Sequence, residues 1–106
     1  MNEEPELHVD EEGTKRWIMN GEFHRIGAPA IEYSDGGRVW YLHGKVHRED
    51  GPAVEWNGGE KWYVNNIRCD DVVAWAKMAL QYKNIEPTQE AIDAKIMQVM
   101  QLDVFS

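Results

Sequence analysis

The sequence predicts an α+β fold: an antiparallel β-meander built of repeated hairpins and capped by two C-terminal α-helices. Three observations predict it. First, the stretch from Trp40 to Trp62, W-Y-L-H-G-K-V-H-R-E-D-G-P-A-V-E-W-N-G-G-E-K-W, repeats the stretch from Trp17 to Trp40 at a spacing of 23 and then 22 residues. A fixed period of that length marks an array of one supersecondary unit. Second, each copy alternates apolar and polar residues between turn-forming pairs, the pattern of strands joined by tight turns. Third, after Cys69 the alternation gives way to a helical period of about 3.6 residues.

The elements follow in chain order. Leu7-His8-Val9 alternates and precedes Gly13 as Ile31-Glu32-Tyr33 precedes Gly36, so it reads as the last strand of a truncated unit. Lys15 to Met19 is the first Trp strand, and Asn20-Gly21 turns it into a short return strand, Glu22 to His24. Arg25 to Pro29 is a loop, Ala30 to Tyr33 a strand, and Ser34 to Gly37 a turn. The second copy repeats this: Arg38 to Leu42, the His43-Gly44 turn, Lys45 to His47, a loop to Pro52, Ala53 to Trp56, and Asn57-Gly58-Gly59. Pro29 and Pro52 stand where a strand begins and no ladder donor is needed. Glu60 to Val64, Asn65-Asn66 and Ile67 to Cys69 form a third, shortened copy. Asp70 or Asp71 caps a helix through Asn84 with a stripe of Val72, Trp75, Ala76, Ala79 and Leu80. Pro87-Thr88 starts a second helix to about Gln101 with a stripe of Ile92, Ile96, Val99 and Met100. Met78, Met97 and Met100 are expected to fill gaps, and Leu102 to Ser106 forms a tail. The chain is one domain, 1–106, with hairpin repeats over 7–69 and a helical cap over 70–106.

Alternation places Trp17, Met19, Ile31, Tyr33, Trp40, Leu42, Val54, Trp56, Trp62 and Val64 on one face. The helices are expected to cover it, because so apolar a face must be buried. The opposite face then carries Ile18, Glu32, Tyr41, His43, Glu55 and Tyr63. Aromatic side chains among polar groups have the composition of a contact patch, which makes Tyr41, Tyr63, Glu32, Glu55 and His43 the candidate partner-binding residues. Exposed strand edges also admit a homodimer.

Charge narrows the function classes. The net charge is −8. Residues 1–14 hold six acids and no Lys or Arg, residues 15–69 are nearly balanced, and residues 70–106 are acidic again. A phosphate-binding surface wants a basic stripe, so direct nucleic-acid binding is not expected. Cys69 is the single cysteine, which excludes an intrachain disulfide. The acidic N-terminus has no apolar run of a signal peptide, and no stretch reaches membrane-spanning length, so a cytoplasmic protein is expected.

His24, His47 and Cys69 recur once per copy and are metal-ligating types. Equivalent positions two strands apart lie roughly 9–10 Å apart, too far to converge on one ion, so no metal is expected. The loop residues His47, Arg48 and Asp50 are candidates for a ligand site. Against that, Asp50 suits a turn, Gly51 an unusual φ, and Arg48 an ion pair with a nearby carboxylate. Glu32 and Glu55 could serve as acid and base, yet on an exposed face nothing raises a carboxylate pKa. Phosphate loops, nucleophile elbows and dinucleotide fingerprints are absent, and no cofactor is expected.

The run His47 to Trp56, H-R-E-D-G-P-A-V-E-W, resembles the variant MORN-type repeat of many small tailed-phage proteins, W-Y-x-N-G-x-x-H-R-x-D-G-P-A-x-E. The likeness covers about residues 15–69. It departs in the first copy, where Gly27 and Ala28 replace Asp and Gly, and the third copy stops after Asn66. The resemblance implies a hairpin array and a phage origin, hence the host bacterial cytoplasm. It implies no particular activity. The leading expectation is a non-catalytic protein-binding module that inhibits a host protein, a defence nuclease among the candidates. The alternative is a small enzyme or ligand-binding protein using the His-Arg loops.

Overall fold

Three hairpin turns of one kind set the frame. Asn20-Gly21, His43-Gly44 and Asn65-Asn66 all hold both residues at positive φ, the backbone of the two-residue turn whose twist matches its flanking strands. The computed structural model describes residues 4–104. It contains β1 (Glu6–Val9), β2 (Lys15–Met19), β3 (Glu22–Phe23), β4 (Ile31–Glu32), β5 (Arg38–Val39), β6 (Tyr41–Leu42), β7 (Lys45–Val46), β8 (Val54–Trp56), β9 (Gly59–Val64), β10 (Ile67–Cys69), α1 (Val72–Tyr82) and α2 (Gln89–Val104).

Each Trp strand changes partner along its length. The first half of β2 pairs with β4 and its second half with β3. Likewise β9 pairs with β8 and then with β10. In the middle copy the strand is interrupted at Trp40, so β5 lies in the main sheet and β6 forms its own hairpin with β7. The main sheet runs β1-β2-β4-β5-β8-β9-β10, every pairing antiparallel, with β3 beside β2.

Register fixes the two faces. Lys15, Glu32, Arg38, Glu55 and Glu60 stand directly across from one another, and Arg16, Ile31, Val39, Val54 and Lys61 form the adjacent row. Trp17, Trp40 and Trp62 lie two residues on from Lys15, Arg38 and Glu60 and share their face. This corrects the phase read from the sequence. Glu32 and Glu55 belong to the Trp face, while Ile31, Tyr33, Val54 and Trp56 share a face with Tyr41 and Tyr63. The reason is steric. Ala30 and Ala53 sit across from the indole-bearing residues, with Trp17 N–H donating to Ala30 O and Trp40 N–H to Ala53 O at 2.8 Å each. Both alanines are wholly buried. Their methyls leave room that Ile31 or Val54 would fill.

The helices cover less than expected. Asp71 caps α1 by accepting from Ala74 N–H at 2.8 Å, and Thr88 accepts from Ala91 N–H at 3.1 Å to start α2. α1 packs on β9 and β10, and the core is Val64, Cys69, Trp75, Ala76, Ala79, Leu80 and Ile92. The cap therefore closes the C-terminal end of the Trp face and leaves Trp17 and Trp40 to other cover. Tyr33 and Trp56, expected in the core, are 43% and 45% exposed. Met97 and Met100 are exposed rather than gap-filling. α2 continues through Leu102 to Val104, where a tail was expected. Phe105 and Ser106 lie outside the described residues.

Trp75 is fully buried, so Trp75→Ala is expected to cost about 3–5 kcal/mol, while Trp56→Ala should cost about 1 kcal/mol or less. Urea unfolding midpoints at constant slope check both.

Candidate functional site: the His-Arg loops and the tyrosine face

The repeated loop is a clamp built from local spacing. The Arg48 guanidinium carbon lies 3.8 Å from the Trp40 ring centre. Its Nη1 donates to Pro52 O at 2.9 Å and to Glu55 Oε2 at 3.4 Å, and its Nε donates to Asp50 Oδ1 at 2.7 Å. Arg25 does the same one repeat earlier, 3.7 Å over Trp17, with Pro29 O at 3.2 Å and Glu32 Oε2 at 3.3 Å. The spacings Arg to Pro and Arg to Glu are thus one device that lays a cation across an indole and neutralises it.

Gly51 does not take an unusual φ, contrary to expectation. A Cβ there would come within 2.8 Å of the Arg48 Cζ, so glycine stands where the guanidinium crosses the loop. In the first copy Ala28 occupies that place and Gly27 adopts φ +81°, so that loop takes a different path under its arginine.

The histidines join successive repeats. His24 Nδ1 accepts from His43 N–H at 2.9 Å, and His47 Nδ1 accepts from Asn65 N–H at 2.9 Å. Backbone bonds flank each: Gly44 N to Phe23 O and Arg25 N to Tyr41 O, then Asn66 N to Val46 O and Arg48 N to Tyr63 O. An imidazole nitrogen thereby fills one rung of a backbone ladder. Accepting at Nδ1 requires a neutral ring with its proton on Nε2, and in His47 that Nε2 lies 3.0 Å from Glu49 Oε2.

Cys69 stands at the third histidine position, where no further turn follows. It is buried, with Sγ 3.7 Å from Ile67 O and 4.0 Å from Met78 Sδ. Burial pushes its thiol up, away from nucleophile or ligand chemistry. Among the described residues no group of three His, Cys, Asp or Glu side chains is placed to hold a metal ion.

α1 docks on the second loop. Trp75 Nε1 donates to Arg48 O at 3.0 Å, its ring lies 4.8 Å from Trp62, the Tyr82 ring lies 4.4 Å from His47 at a tilt of 47°, and Lys83 Nζ pairs with Glu49 Oε1 at 3.0 Å. A hollow of about 420 Å³ lies between the two loops, lined by Arg25, Ile26, Trp40, Tyr41, His47 and Arg48. Arg25, His47, Arg48, Glu49 and Asp50 around it are already partnered, and among the described residues no buried side-chain nitrogen or oxygen lacks a hydrogen bond. The arrangement holds a shape, with His47, Arg48 and Asp50 bonded to one another's loop and to the next turn.

The candidate partner residues divide. Tyr41 and Tyr63 are half-buried on one face, where burial, then Tyr33 and Tyr63, raises the Tyr41 phenol. Phe23 lies 5.1 Å from the Tyr41 ring. Glu32 and Glu55 are on the other face in ion pairs with Arg25, Arg48 and Arg38. His43 sits exposed at its turn, 4.2 Å from the His24 ring. His47, Arg48 and Asp50 do come together, as parts of the clamp and lock. Sequence reasoning missed Tyr33, Trp56 and Phe23 as members of the Tyr41 face. The alanine after each proline was the signal that would have set the phase.

Burial alone would raise the Glu49 carboxyl, but hydrogen bonds from His47 and Lys83 overcome it and hold the group below the usual glutamate value. A pKa lower in the folded than in the unfolded chain adds stability above the unfolded value, and this is lost as pH falls through the folded one. Glu49→Gln should therefore be less stable than wild type above about pH 5, with the difference vanishing at lower pH, below the glutamate range. Urea titrations between neutral and acid pH check this. No family model, curated protein or solved structure matches this chain.

Proposed function

We propose that this protein is a non-catalytic binding module, a phage accessory factor that acts in the host cytoplasm by docking its tyrosine face on a host protein and inhibiting it. The MORN-like repeat pattern supports the phage origin. One observation carries the binding reading: the helices pack on the opposite side of the sheet from Phe23, Tyr33, Val39, Tyr41, Trp56 and Tyr63, and on this face Tyr33 and Trp56 stay 43% and 45% exposed. Tyrosine and tryptophan are the anchors that interfaces favour, because they bury large rigid area and keep a polar tip. A defence nuclease is one candidate among host proteins.

The alternative, a small enzyme or ligand-binding protein using the His-Arg loops, draws on the 420 Å³ hollow. It is weakened because His47, Arg48 and Asp50 already spend their hydrogen-bonding groups on the clamp and the lock.

The test is retention from a bacterial lysate. A host protein held by wild type, released by Tyr41→Ala/Tyr63→Ala and functionally inhibited on addition of the wild-type protein supports the reading. No target, or equal capture by a folded double variant, contradicts it. No helix among the described residues is long and apolar enough to cross a membrane.

A further inference from the structure

The N-terminal end of the array is unlike its other end. At the C-terminus α1 covers β10. At the N-terminus the last strand is β1, which pairs only with β2 among the described residues. The direction of its free groups follows from the ladder. Trp17 uses its N–H on Ala30 O and its carbonyl on His24 N–H, both on the β4 and β3 side. Arg16 and Ile18 therefore face β1, where their register partners are His8 and Glu6, and Asp10 N–H to Thr14 O at 3.1 Å continues the same ladder. The backbone N–H and C=O groups of Leu7 and Val9 point the other way, outward from the sheet.

The side chains beside this edge are apolar on one face. Leu7 and Val9 lie on the Trp face and are 50% and 56% exposed. Next to them is a hollow of about 420 Å³ lined by Glu4, Pro5, Trp17, His24, Arg25 and Ile26, with Ile26 80% exposed. The surrounding segment is strongly acidic. Residues 4–14 contain Glu4, Glu6, Asp10, Glu11 and Glu12 and no Lys or Arg; Asp10 is paired with Arg16 at 2.8 Å.

From these observations we infer that β1 is a docking edge for an extended basic peptide segment, which adds as a further strand and alternates apolar with Lys or Arg side chains. Main-chain bonds to Leu7 and Val9 supply the pairing, and the alternate side chains supply the selection. Apolar side chains of the added strand continue the Trp17-Leu7 row outward on the same face, packing beside Leu7 and Val9. Basic ones lie on the other face, across from Glu6, where an opposite-charge cross-strand pair is favourable. A second copy of this chain fits worse, because two β1 edges together would bring two acid-rich segments into contact. This inference is independent of the tyrosine face.

The probe is a nine-residue alternating Lys/Val peptide, with the matching Glu/Val peptide as control, followed by fluorescence anisotropy at low and high salt. Wild type should bind the Lys/Val peptide, more weakly at high salt, and not the Glu/Val peptide. Leu7→Pro removes one outward N–H without touching the β1-β2 bonds, a substitution that edge strands accept. It should keep its melting temperature and weaken binding at least about tenfold. Glu6→Lys should weaken it similarly, which keeps the test valid if the proline variant fails to fold. Tyr41→Ala/Tyr63→Ala should bind the peptide as wild type does. Absence of binding by folded wild type overturns the inference, as does undiminished binding by a folded Leu7→Pro or Glu6→Lys. A dimer in sedimentation that Leu7→Pro disperses also overturns it, in favour of a second copy.

Discussion

The array depends on a side-chain nitrogen standing in for a backbone carbonyl. The His43-Gly44 and Asn65-Asn66 turns offer their N–H groups to the previous repeat, Gly44 to Phe23 O and Asn66 to Val46 O. The preceding strand is too short to meet all of them with its own carbonyls. His24 and His47 fill the gap, accepting from His43 and Asn65, and backbone bonds close on either side. The two imidazoles are buried and a hydrogen bond contributes about 0.5–1.5 kcal/mol net, so each imidazole stabilises its junction and sets which turn meets which strand.

The same logic explains how the array stops. An internal repeat has a following turn to receive and an indole to cover; its histidine does the first and its arginine the second. The last repeat has no following turn. Cys69 replaces the histidine, offering a small apolar body to α1. Trp75 takes the place of Arg25 and Arg48, covering Trp62 with a ring tilted 58° to it, and its indole N–H donates to the Arg48 carbonyl. A cation-π stack contributes about 0.5–2 kcal/mol depending on burial, whereas a fully buried tryptophan also removes large apolar area from water. The cap thus anchors the helices by substituting for one member of the repeated motif, and it carries the hydrophobic core that the hairpins alone do not build.

Much of this is legible in the sequence alone. The repeat, the Asn-Gly and His-Gly turns, the proline strand starts, and the caps at Asp71 and Thr88 are local chemistry, and local chemistry is written in adjacent residues. The phase between neighbouring strands was not. Alternation within Ala30 to Tyr33 is plain, but whether Ala30 or Ile31 meets the indole depends on sterics across the sheet. Getting that wrong moved Glu32 and Glu55 onto the tyrosine face and hid Tyr33 and Trp56 from it. The role of Gly51 was also invisible, since it answers to where a long side chain comes to rest. Function is less legible still. The most recognisable residues, His47, Arg48 and Asp50, are occupied in holding the unit together, and the surfaces left for partners are made of unremarkable tyrosines and a short acidic strand.

The central claim is that the two histidines are neutral acceptors locking one repeat to the next. Nitrogen-15 NMR of the imidazoles, read together with amide exchange at His43 and Asn65, tests it most directly. The account predicts that His24 and His47 both carry their proton on Nε2, with Nδ1 unprotonated, and that the two amides are slow to exchange. Protons on Nδ1, or amides that exchange as fast as those of the exposed Asn57 turn, would contradict it.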